Sequence, residues 1–281
     1  MTFSARQFEF RFPRPAMVMG IVNITPDSFS DGGKFFTARA AVAHGLEMVA
    51  QGAEILDIGG ESTRPGAAPV PEDEELRRVI PVIEQLAAAT AVPLSIDTRK
   101  PAVARAALAA GASMVNDVSA IPDHHAMWRV VAESRAGYVL MHAQGTPATM
   151  QLQPAYTDVV RDVGGFFGAR LTALRADGIA PEQVLLDPGI GFGKTLSHNL
   201  QLLAGLQSFT KWQRPLLLGV SRKSFIEKIT GAKPNERLPA SLACAILALP
   251  AGGNLFRVHD VAETVQAVRM AEAILQQSHV E

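Results

Sequence analysis

The stretch Arg257 to Asp260, which reads RVHD, carries two side chains that could act together on one ligand. The run Asn254 to His259 favours a strand and the pattern from Val261 to about Gln277 favours a helix, so the stretch lies where a strand passes into a loop. Residues two apart in a strand point to the same side, so Arg257 and His259 would present a guanidinium fork and an imidazole to one place. Such a pair suits an anion. A histidine beside a surface arginine would also explain the stretch taken alone.

The composition limits the class of protein. The 281 residues are 48% hydrophobic and 19% charged, which is enough to bury a large core. A net charge of −1 argues against an extended nucleic-acid surface but allows a local anion pocket. The single cysteine, Cys244, cannot form an intrachain disulfide, which fits a reducing cytoplasm. Because Met1 to Pro15 lacks a signal-peptide pattern and no apolar stretch is long enough to span a bilayer, we expect a soluble cytoplasmic protein without a membrane partner.

The chain repeats one theme, in which a short aliphatic segment ends in polar residues and a longer helical pattern follows. The predicted strands are Met17 to Asn23, Glu54 to Asp57, Pro93 to Asp97, Ser113 to Asp117, Gly137 to His142, Gln183 to Asp187, Leu216 to Val220 and Asn254 to His259. The predicted helices are Ala38 to Gln51, Glu72 to Ala89, Pro101 to Ala110, His124 to Ser134, Asp158 to Ala176, His198 to Gln207, Leu238 to Leu249 and the C-terminal helix.

Eight such alternations in roughly 250 residues predict an α/β protein with a (β/α)8 barrel. A doubly wound open sheet is the alternative. No low-complexity linker divides the chain, so we expect residues 1–281 to form a single domain. Phe8, Phe10 and Phe12 alternate with charged residues, which indicates an extra strand or a hairpin lid before the first barrel strand.

In a barrel of this kind, functional side chains lie at the carboxyl ends of the strands. The predicted strand ends carry Asn23, Asp57, Asp97, Asn116 with Asp117, His142, Asp187, Ser221, and Arg257 with His259. Any one of these has an ordinary explanation, because such residues cap strands and begin helices in many proteins. At all eight strand ends, however, there is a side chain that can hydrogen-bond strongly, and together these side chains predict a polar pocket.

The loop Asp187 to Thr195, DPGIGFGKT, imitates a phosphate-binding P-loop through its Gly-Lys-Thr ending. The first glycine of a P-loop is replaced here by Pro188, which has no N–H to offer a phosphate. We instead expect the three glycines to let the backbone and Phe192 pack closely on a flat ligand, with Asp187 reading the edge of that ligand.

Eight stretches, in order along nearly the whole chain, closely resemble the motifs of the dihydropteroate synthases. They are MGIVNITPDSFSDGG (Met19 to Gly33), DIGGESTRPGA (Asp57 to Ala67), SIDTRK (Ser95 to Lys100), NDVSA (Asn116 to Ala120), MHAQGTPATMQ (Met141 to Gln151), DPGIGFGKT, GVSRKSF (Gly219 to Phe225) and RVHDV (Arg257 to Val261). The resemblance implies a (β/α)8 transferase of folate biosynthesis. Such an enzyme condenses 6-hydroxymethyl-7,8-dihydropterin pyrophosphate with 4-aminobenzoate and releases 7,8-dihydropteroate and pyrophosphate.

Two other function classes share part of this pattern. A corrinoid-linked methyltransferase would bind a methylated reduced folate and would not consume 4-aminobenzoate, and a pterin carrier would bind the ring without releasing pyrophosphate. The methyltransferases resemble this chain in the residues that read the pterin. They are not expected to share the whole TPDSFSDGG and SRKSF loops, so the resemblance favours the synthase.

The resemblance also implies the roles of individual residues. For the pterin it implies Asp97, Asn116, Met141, Asp187, Phe192 and Lys223. For the pyrophosphate it implies Asn23, Thr63, Arg64, Arg257 and His259, with Asn23 also a ligand of Mg²⁺. For 4-aminobenzoate it implies Phe29, Thr63, Pro65, Phe192, Lys223 and Ser224. The catalytic set is Asp97, Lys223, Arg257 and His259. A homodimer and inhibition by sulfonamides are implied as well.

The implied mechanism begins with ionisation of the pterin C–O bond, after which the arylamine attacks the methylene carbon. No nucleophilic side chain is needed. We expect most of the catalysis to come from stabilising charge as it develops on the pyrophosphate. Ser224 falls where a helix should begin after the seventh strand, a position that favours an anion such as the carboxylate of 4-aminobenzoate.

Overall fold

The computed structural model describes residues 1–24, 34–62, 66–119, 124–146 and 149–277, and of residues 34–37 it describes the backbone. The strands in these ranges are β1 Thr2–Ala5, β2 Phe8–Arg11, β3 Met17–Asn23, β4 Ile55–Gly59, β5 Leu94–Asp97, β6 Met114–Asp117, β7 Gly137–Met141, β8 Val184–Asp187, β9 Leu216–Leu218 and β10 Gly253–Val258. The α-helices are α1 Lys34–Ala50, α2 Glu72–Ala89, α3 Pro101–Ala109, α4 His125–Ser134, α5 Val159–Ala176, α6 Leu196–Ala204, α7 Ser224–Thr230, α8 Leu238–Ala248 and α9 Val261–Gln277.

Strands β3 to β10 form a closed parallel barrel in chain order. The barrel closes between β10 and β3, where Leu255 pairs with Met17. The predicted (β/α)8 barrel is therefore confirmed, and the alternative of an open sheet is wrong. The predicted strands and helices are present with ends that differ by a few residues. Between β9 and β10 the chain forms two helices, α7 and α8, where the predicted element series had only the second.

Local chemistry explains where several helices begin. The first turn of α2 holds four acidic residues, which the positive end of the helix dipole favours. Pro101 occupies the first position of α3, where the missing N–H costs nothing. Asp158 caps α5 by accepting hydrogen bonds from the backbone N–H groups of Val160 and Arg161.

The barrel core has two layers, because successive strand residues point to opposite faces. One set of side chains fills the barrel interior: Met17, Met19, Ile55, Met114, Val139, Leu185, Leu217 and Leu255. The alternate set packs outward against the helices and includes Val18, Leu56, Ile96, Val115, Leu186 and Phe256. Burial on both faces explains why the barrel strands are almost continuously apolar.

The antiparallel hairpin β1–β2 covers the amino-terminal end of the barrel. Phe3 and Ala5 are fully buried and belong to the same cluster as the barrel interior. Arg6 follows β1 and donates from Nη1 to the carbonyls of Leu108 and Ala112, at 2.8 Å each. The predicted hairpin lid is confirmed, and it lies at the end opposite the polar strand ends. None of the described helices has the length and apolar character needed to cross a membrane.

Candidate functional site

Four buried or half-buried side chains from β4, β5, β6 and β10 are joined at the carboxyl end of the barrel. Asp57 is fully buried, and its Oδ2 accepts hydrogen bonds from Arg257 Nε at 2.6 Å and from Asn116 Nδ2 at 2.9 Å. Arg257 Nη2 donates to Asp97 Oδ2 at 2.7 Å. Each residue occupies an inward position of its strand, so the barrel alternation places all four in one group. The guanidinium is thereby fixed between two carboxylates.

The electrostatics of this group differ from those of an exposed ion pair. Burial raises the pKa of Asp97 to about 7, against the opposing effect of Arg257. Burial works against the charge of Arg257, but Asp57 and Asp97 raise its pKa. Within the described part of the chain, Oδ1 of Asp57 and Oδ1 of Asp97 are buried without a hydrogen-bond partner. A buried carboxylate oxygen of this kind is suited to accept an N–H from a ligand.

Gly59 leaves an opening between Asn23 and Asp97. These residues are partners in the barrel register, in which Asn23 pairs with Gly59 and Gly59 pairs with Asp97. A Cβ atom on Gly59 would lie 3.5 Å from Asp97 Cβ and 3.7 Å from Asn23 Oδ1. The Asn23 side chain and the Asp97 carboxylate therefore border the same space.

Asn23 could supply one oxygen ligand to a Mg²⁺ ion that is otherwise held by phosphate and water. Among the described residues, no group of three His, Cys, Asp or Glu side chains could hold a metal. A carboxamide oxygen is nevertheless a normal Mg²⁺ ligand, and Mg²⁺ in phosphate sites is often held by one or two protein oxygens with phosphate and water supplying the rest. The site thus suits an ion that arrives with a phosphate ligand.

Lys223 and Phe192 form one wall of the pocket. Lys223 Nζ lies 4.1 Å from the centroid of the Phe192 ring. A Cβ atom on Gly191 would lie 3.3 Å from Lys223 Cδ, so the glycine lets the lysine stem lie against the loop backbone. Burial and the neighbouring charge of Arg257 together lower the pKa of Lys223 to about 8, against the opposing effect of Asp187 and Asp97. The ammonium therefore lies over the face of the Phe192 ring, in a cation–π contact.

The loop after β8 packs closely against the loop after β7, because two glycines allow the backbones to approach and a buried lysine hydrogen-bonds across the contact. Gly189 has φ +68° and donates to Asp187 Oδ1 at 2.7 Å, and a Cβ atom there would lie 1.9 Å from the carbonyl oxygen of His142. Gly193 approaches the backbone of Gln144 in the same way. The resulting backbone contact orients Asp187, whose pKa is raised by burial.

Lys194 hydrogen-bonds to both of these loops. It is 2% exposed and donates from Nζ to Phe192 O at 2.9 Å, His142 Nδ1 at 3.1 Å and His142 O at 3.2 Å. Burial lowers the pKa of Lys194 to about 7 and that of His142 to about 3. All three ammonium N–H groups have an acceptor, so Lys194 holds Phe192 in place rather than binding phosphate.

His259 lies beyond the end of β10 and contacts Ser221 from the loop after β9. Its Nδ1 is 3.0 Å from Ser221 Oγ, and its backbone N–H donates to the same oxygen at 3.2 Å. Burial, together with the charges of Arg257 and Arg222, lowers the pKa of His259 to about 4. Ser224 is exposed and is the first residue of α7.

The structure brings together most of the predicted site residues that it describes. Asn116, Asp97 and Arg257 form one hydrogen-bonded group, and Met141 pairs with Asp187 in the barrel register. The predicted residues Phe29, Thr63, Arg64 and Pro65 lie outside the described residues. Two residues of the site were not assigned a role from the sequence, Asp57 and Lys194. Asp57 was recognisable as a strand end, whereas the lysine was visible only as part of the misleading P-loop pattern.

Comparison with known proteins gives one consistent result. A family model described as a pterin binding enzyme matches residues 19–259. The dihydropteroate synthase of Escherichia coli K12 is 50% identical over 258 residues, which is 92% of this chain and 91% of the relative. The structure of Xanthomonas albilineans dihydropteroate synthase with 4-aminobenzoic acid is 50% identical, with a TM-score of 0.90 and 98% of each chain covered. A Yersinia pestis dihydropteroate synthase in complex with a sulfonamide drug is 45% identical, with a TM-score of 0.91 and coverage of 98% of this chain and 100% of that one.

Proposed function

The chain belongs to the dihydropteroate synthases, and from this we propose that its carboxyl-end pocket works by ionising the pterin substrate before the amine attacks. The enzyme is a transferase that joins 6-hydroxymethyl-7,8-dihydropterin pyrophosphate to 4-aminobenzoate, giving 7,8-dihydropteroate and pyrophosphate. The observation that carries the proposal is the fixed position of Arg257 between Asp57 and Asp97. It places a permanent cation beside the residues expected to read the pterin.

The pterin end of the pocket supplies the polar groups that a flat heterocycle requires. Asp187 and Asn116 would accept and donate at the aminopyrimidinone edge, and Asp97 would accept a ring N–H through Oδ1, which has no partner among the described residues. Phe192 and Lys223 would hold the ring, with the ammonium reaching the carbonyl and the adjacent nitrogen. A ring cation formed by ionisation is stabilised by these carboxylates without covalent attachment to the protein.

The leaving pyrophosphate would be received by Arg257, His259 and Asn23, together with Thr63 and Arg64. Arg257 uses Nε and Nη2 for the two carboxylates, and its Nη1 makes no hydrogen bond to the described residues. The N–H groups of Nη1 are therefore suited to donate to a phosphate oxygen. Asn23 would hold Mg²⁺, which when bound neutralises part of the charge on the phosphate oxygens. Because the guanidinium is already oriented, little reorganisation is needed when the C–O bond breaks.

4-Aminobenzoate would occupy the mouth of the pocket. Phe192 and the stem of Lys223 supply an apolar wall for its ring, which Phe29, Thr63 and Pro65 would complete. Ser224 would receive the carboxylate at the start of α7. Since the Yersinia pestis relative was solved with a sulfonamide drug, we expect sulfonamides to compete for this position.

We also propose that the enzyme is a cytoplasmic homodimer. Three large apolar side chains are exposed on neighbouring helices, Leu247 on α8 and Met270 and Ile274 on α9, and a second copy of the chain would cover them. The free and half-buried thiol of Cys244 suits a reducing compartment.

Isotope exchange tests the order of bond breaking. The pterin substrate is labelled with ¹⁸O at the oxygen that bridges the methylene carbon and phosphorus, and is incubated with the protein and Mg²⁺ but without 4-aminobenzoate. Ionisation lets the pyrophosphate rotate and recombine, so we expect the label to move to a non-bridging position, which ³¹P NMR detects. An unmoved label, in a preparation that turns over rapidly once 4-aminobenzoate is added, would argue for direct displacement.

A further inference from the structure

Ser221 makes two contacts with one residue. Its Oγ accepts the backbone N–H of His259 at 3.2 Å and lies 3.0 Å from His259 Nδ1. Ser221 is 6% exposed, and in the part of the chain that the structure describes its side-chain hydrogen bonds both go to His259. Among the described residues, His259 Nδ1 is thus the available acceptor for the O–H of this buried hydroxyl.

Counting protons on these atoms selects one tautomer of the imidazole. A hydroxyl has one O–H to donate, and a neutral imidazole carries one N–H. If His259 carried its proton on Nδ1, that N–H would point at Ser221 Oγ, and the buried hydroxyl proton would have no acceptor among the described residues. If the proton is on Nε2, the hydroxyl donates to Nδ1 and both groups are satisfied.

We propose that Ser221 is a positioning residue that keeps the proton of His259 on Nε2, so that the imidazole donates a hydrogen bond to the departing pyrophosphate. The inference rests on the proposed role of His259 as a pyrophosphate ligand. With the other tautomer, Nε2 would present a lone pair to the anion, and the contact would be repulsive. Ser221 itself need not touch the substrate.

The surroundings of His259 agree with a neutral donor. Arg257, Arg222 and Lys223 are cations that lower the pKa of the ring, and the carboxylate of Asp260 raises it. Because burial and these cations hold the pKa of His259 at about 4, the ring is uncharged at neutral pH and its single proton must be on one nitrogen or the other.

The turn that carries Ser221 is held in place from the outside of the barrel. Arg222, the next residue, has φ +55°, and its N–H donates to Ser241 Oγ at 2.9 Å while its carbonyl accepts from Arg237 Nη1 at 3.0 Å. Arg222 also pairs with Asp260, the residue after His259. A left-handed residue with three anchors fixes the direction of the Ser221 hydroxyl.

The test is ¹⁵N NMR of the imidazole nitrogens at neutral pH in the intact protein labelled at its 7 histidines. The His259 signals are assigned by their loss in His259→Gln. Protonated and unprotonated ring nitrogens differ widely in chemical shift, so the spectrum reports the tautomer without any turnover. We expect Nε2 protonated and Nδ1 unprotonated in the parent protein. An Nδ1-protonated parent overturns the proposal, and no variant is needed for that result.

Variants separate the effect on the tautomer from an effect on folding. Ser221→Ala is expected to let the Nδ1-protonated form appear and to lower kcat by roughly ten- to hundredfold, the range found when the partner that orients a metal-binding imidazole is removed. Affinity for a pterin without the pyrophosphate should stay within about twofold, and Ser221→Thr should restore the parent tautomer. Ser241→Ala is the matched control, because Ser241 is also 6% exposed and holds the same turn from α8 by accepting the N–H of Arg222, and the described residues show no hydrogen bond between it and His259.

Each result has a defined meaning. A parent-like tautomer in Ser221→Ala would show that the serine does not set it, and equal tautomer shifts in Ser241→Ala would assign the effect to general loosening of the turn. A parent protein with the expected tautomer that makes no dihydropteroate would refute the proposed function and leave standing only the effect of Ser221 on the tautomer of His259.

Discussion

Asp57 joins two side chains through one atom, since its Oδ2 accepts from both Arg257 and Asn116. We predict that Asp57→Asn lowers pterin affinity on the order of tenfold, because an amide offers donors to the donors of Arg257 and removes the counter-charge of the guanidinium. Titration calorimetry with a pterin measures the change. The control is Asp117→Asn, because Asp117 points outward to Tyr138 and His124. Equal losses in both variants would contradict a special role for Asp57.

The titration of Asp97 and Lys223 gives a prediction about pH. Asp97 must be ionised to accept a ring N–H, and burial raises its pKa to about 7. Lys223 must be protonated to donate, and burial lowers its pKa to about 8. Pterin affinity should therefore rise as pH increases through about 7 and fall above about 8. Calorimetry across this range measures the profile, and in Asp97→Asn the decrease in pterin affinity on the acid side of about pH 7, the acid limb, should disappear. An acid limb that persists in the variant would assign the titration elsewhere.

At the residue scale, the sequence revealed which side chains end the strands but not which of them touch. Period-two alternation predicts that Arg257 and His259 face the pocket, and the barrel makes their neighbours inward-facing too. The bond between Arg257 and Asp57 joins residues that are 200 positions apart. No local pattern encodes that contact. Lys194 was missed for a similar reason, because two of its acceptors belong to His142, which lies after β7 and is 52 positions away.

Gly189 shows how one element is held against the next. Its φ of +68° and the 1.9 Å between a Cβ atom and the carbonyl oxygen of His142 leave no space for a side chain. We predict that Gly189→Ala lowers the free energy of unfolding by about 2–4 kcal/mol and weakens pterin binding, since Asp187 must move. Denaturant unfolding measures the first effect and calorimetry the second.

A second glycine provides the control for Gly189→Ala. Gly165 lies in α5, and a Cβ atom there meets nothing within 4 Å. Gly165→Ala should raise the free energy of unfolding by about 0.5–1 kcal/mol, because alanine restricts the unfolded chain and favours the helix. If both variants behaved alike, the close approach at Gly189 would not be the cause.

At the element scale, the strands and most helices were predictable because a buried parallel barrel requires apolar strands separated by amphipathic helices. The helix α7 was not in the predicted series, although its start at Ser224 was. It has only seven residues, too few for a helical period to stand out. The first and last residues of the strands and helices were predicted less accurately than their centres, because the ends of elements fray and are defined only to within one or two residues.

At the scale of the whole molecule, the amino-terminal end of the barrel contributes to stability and the carboxyl end carries the functional site. The hairpin β1–β2 seals the amino-terminal end, where Phe3 is fully buried, and the site lies at the other end. We predict that Phe3→Ala costs about 3–5 kcal/mol of unfolding free energy and leaves pterin affinity unchanged. Leu152→Ala, at a side chain that is 74% exposed, should change stability by no more than about 0.5 kcal/mol. A large loss of pterin affinity in folded Phe3→Ala would contradict this separation.

That the whole chain behaves as one domain stays a prediction. The barrel closes between its first and last strands, so the two halves of the chain complete one another. A single cooperative unfolding transition, the same by fluorescence and circular dichroism, is expected of such a unit.

The central claim is that this pocket joins a pterin to an arylamine with loss of pyrophosphate. The most direct measurement incubates the folded protein with 6-hydroxymethyl-7,8-dihydropterin pyrophosphate, 4-aminobenzoate and Mg²⁺, and quantifies both products. We predict that dihydropteroate and pyrophosphate appear in equal amounts and that Arg257→Ala abolishes most of the turnover. Folded protein that yields neither product, or that releases pyrophosphate without forming dihydropteroate, would contradict the account.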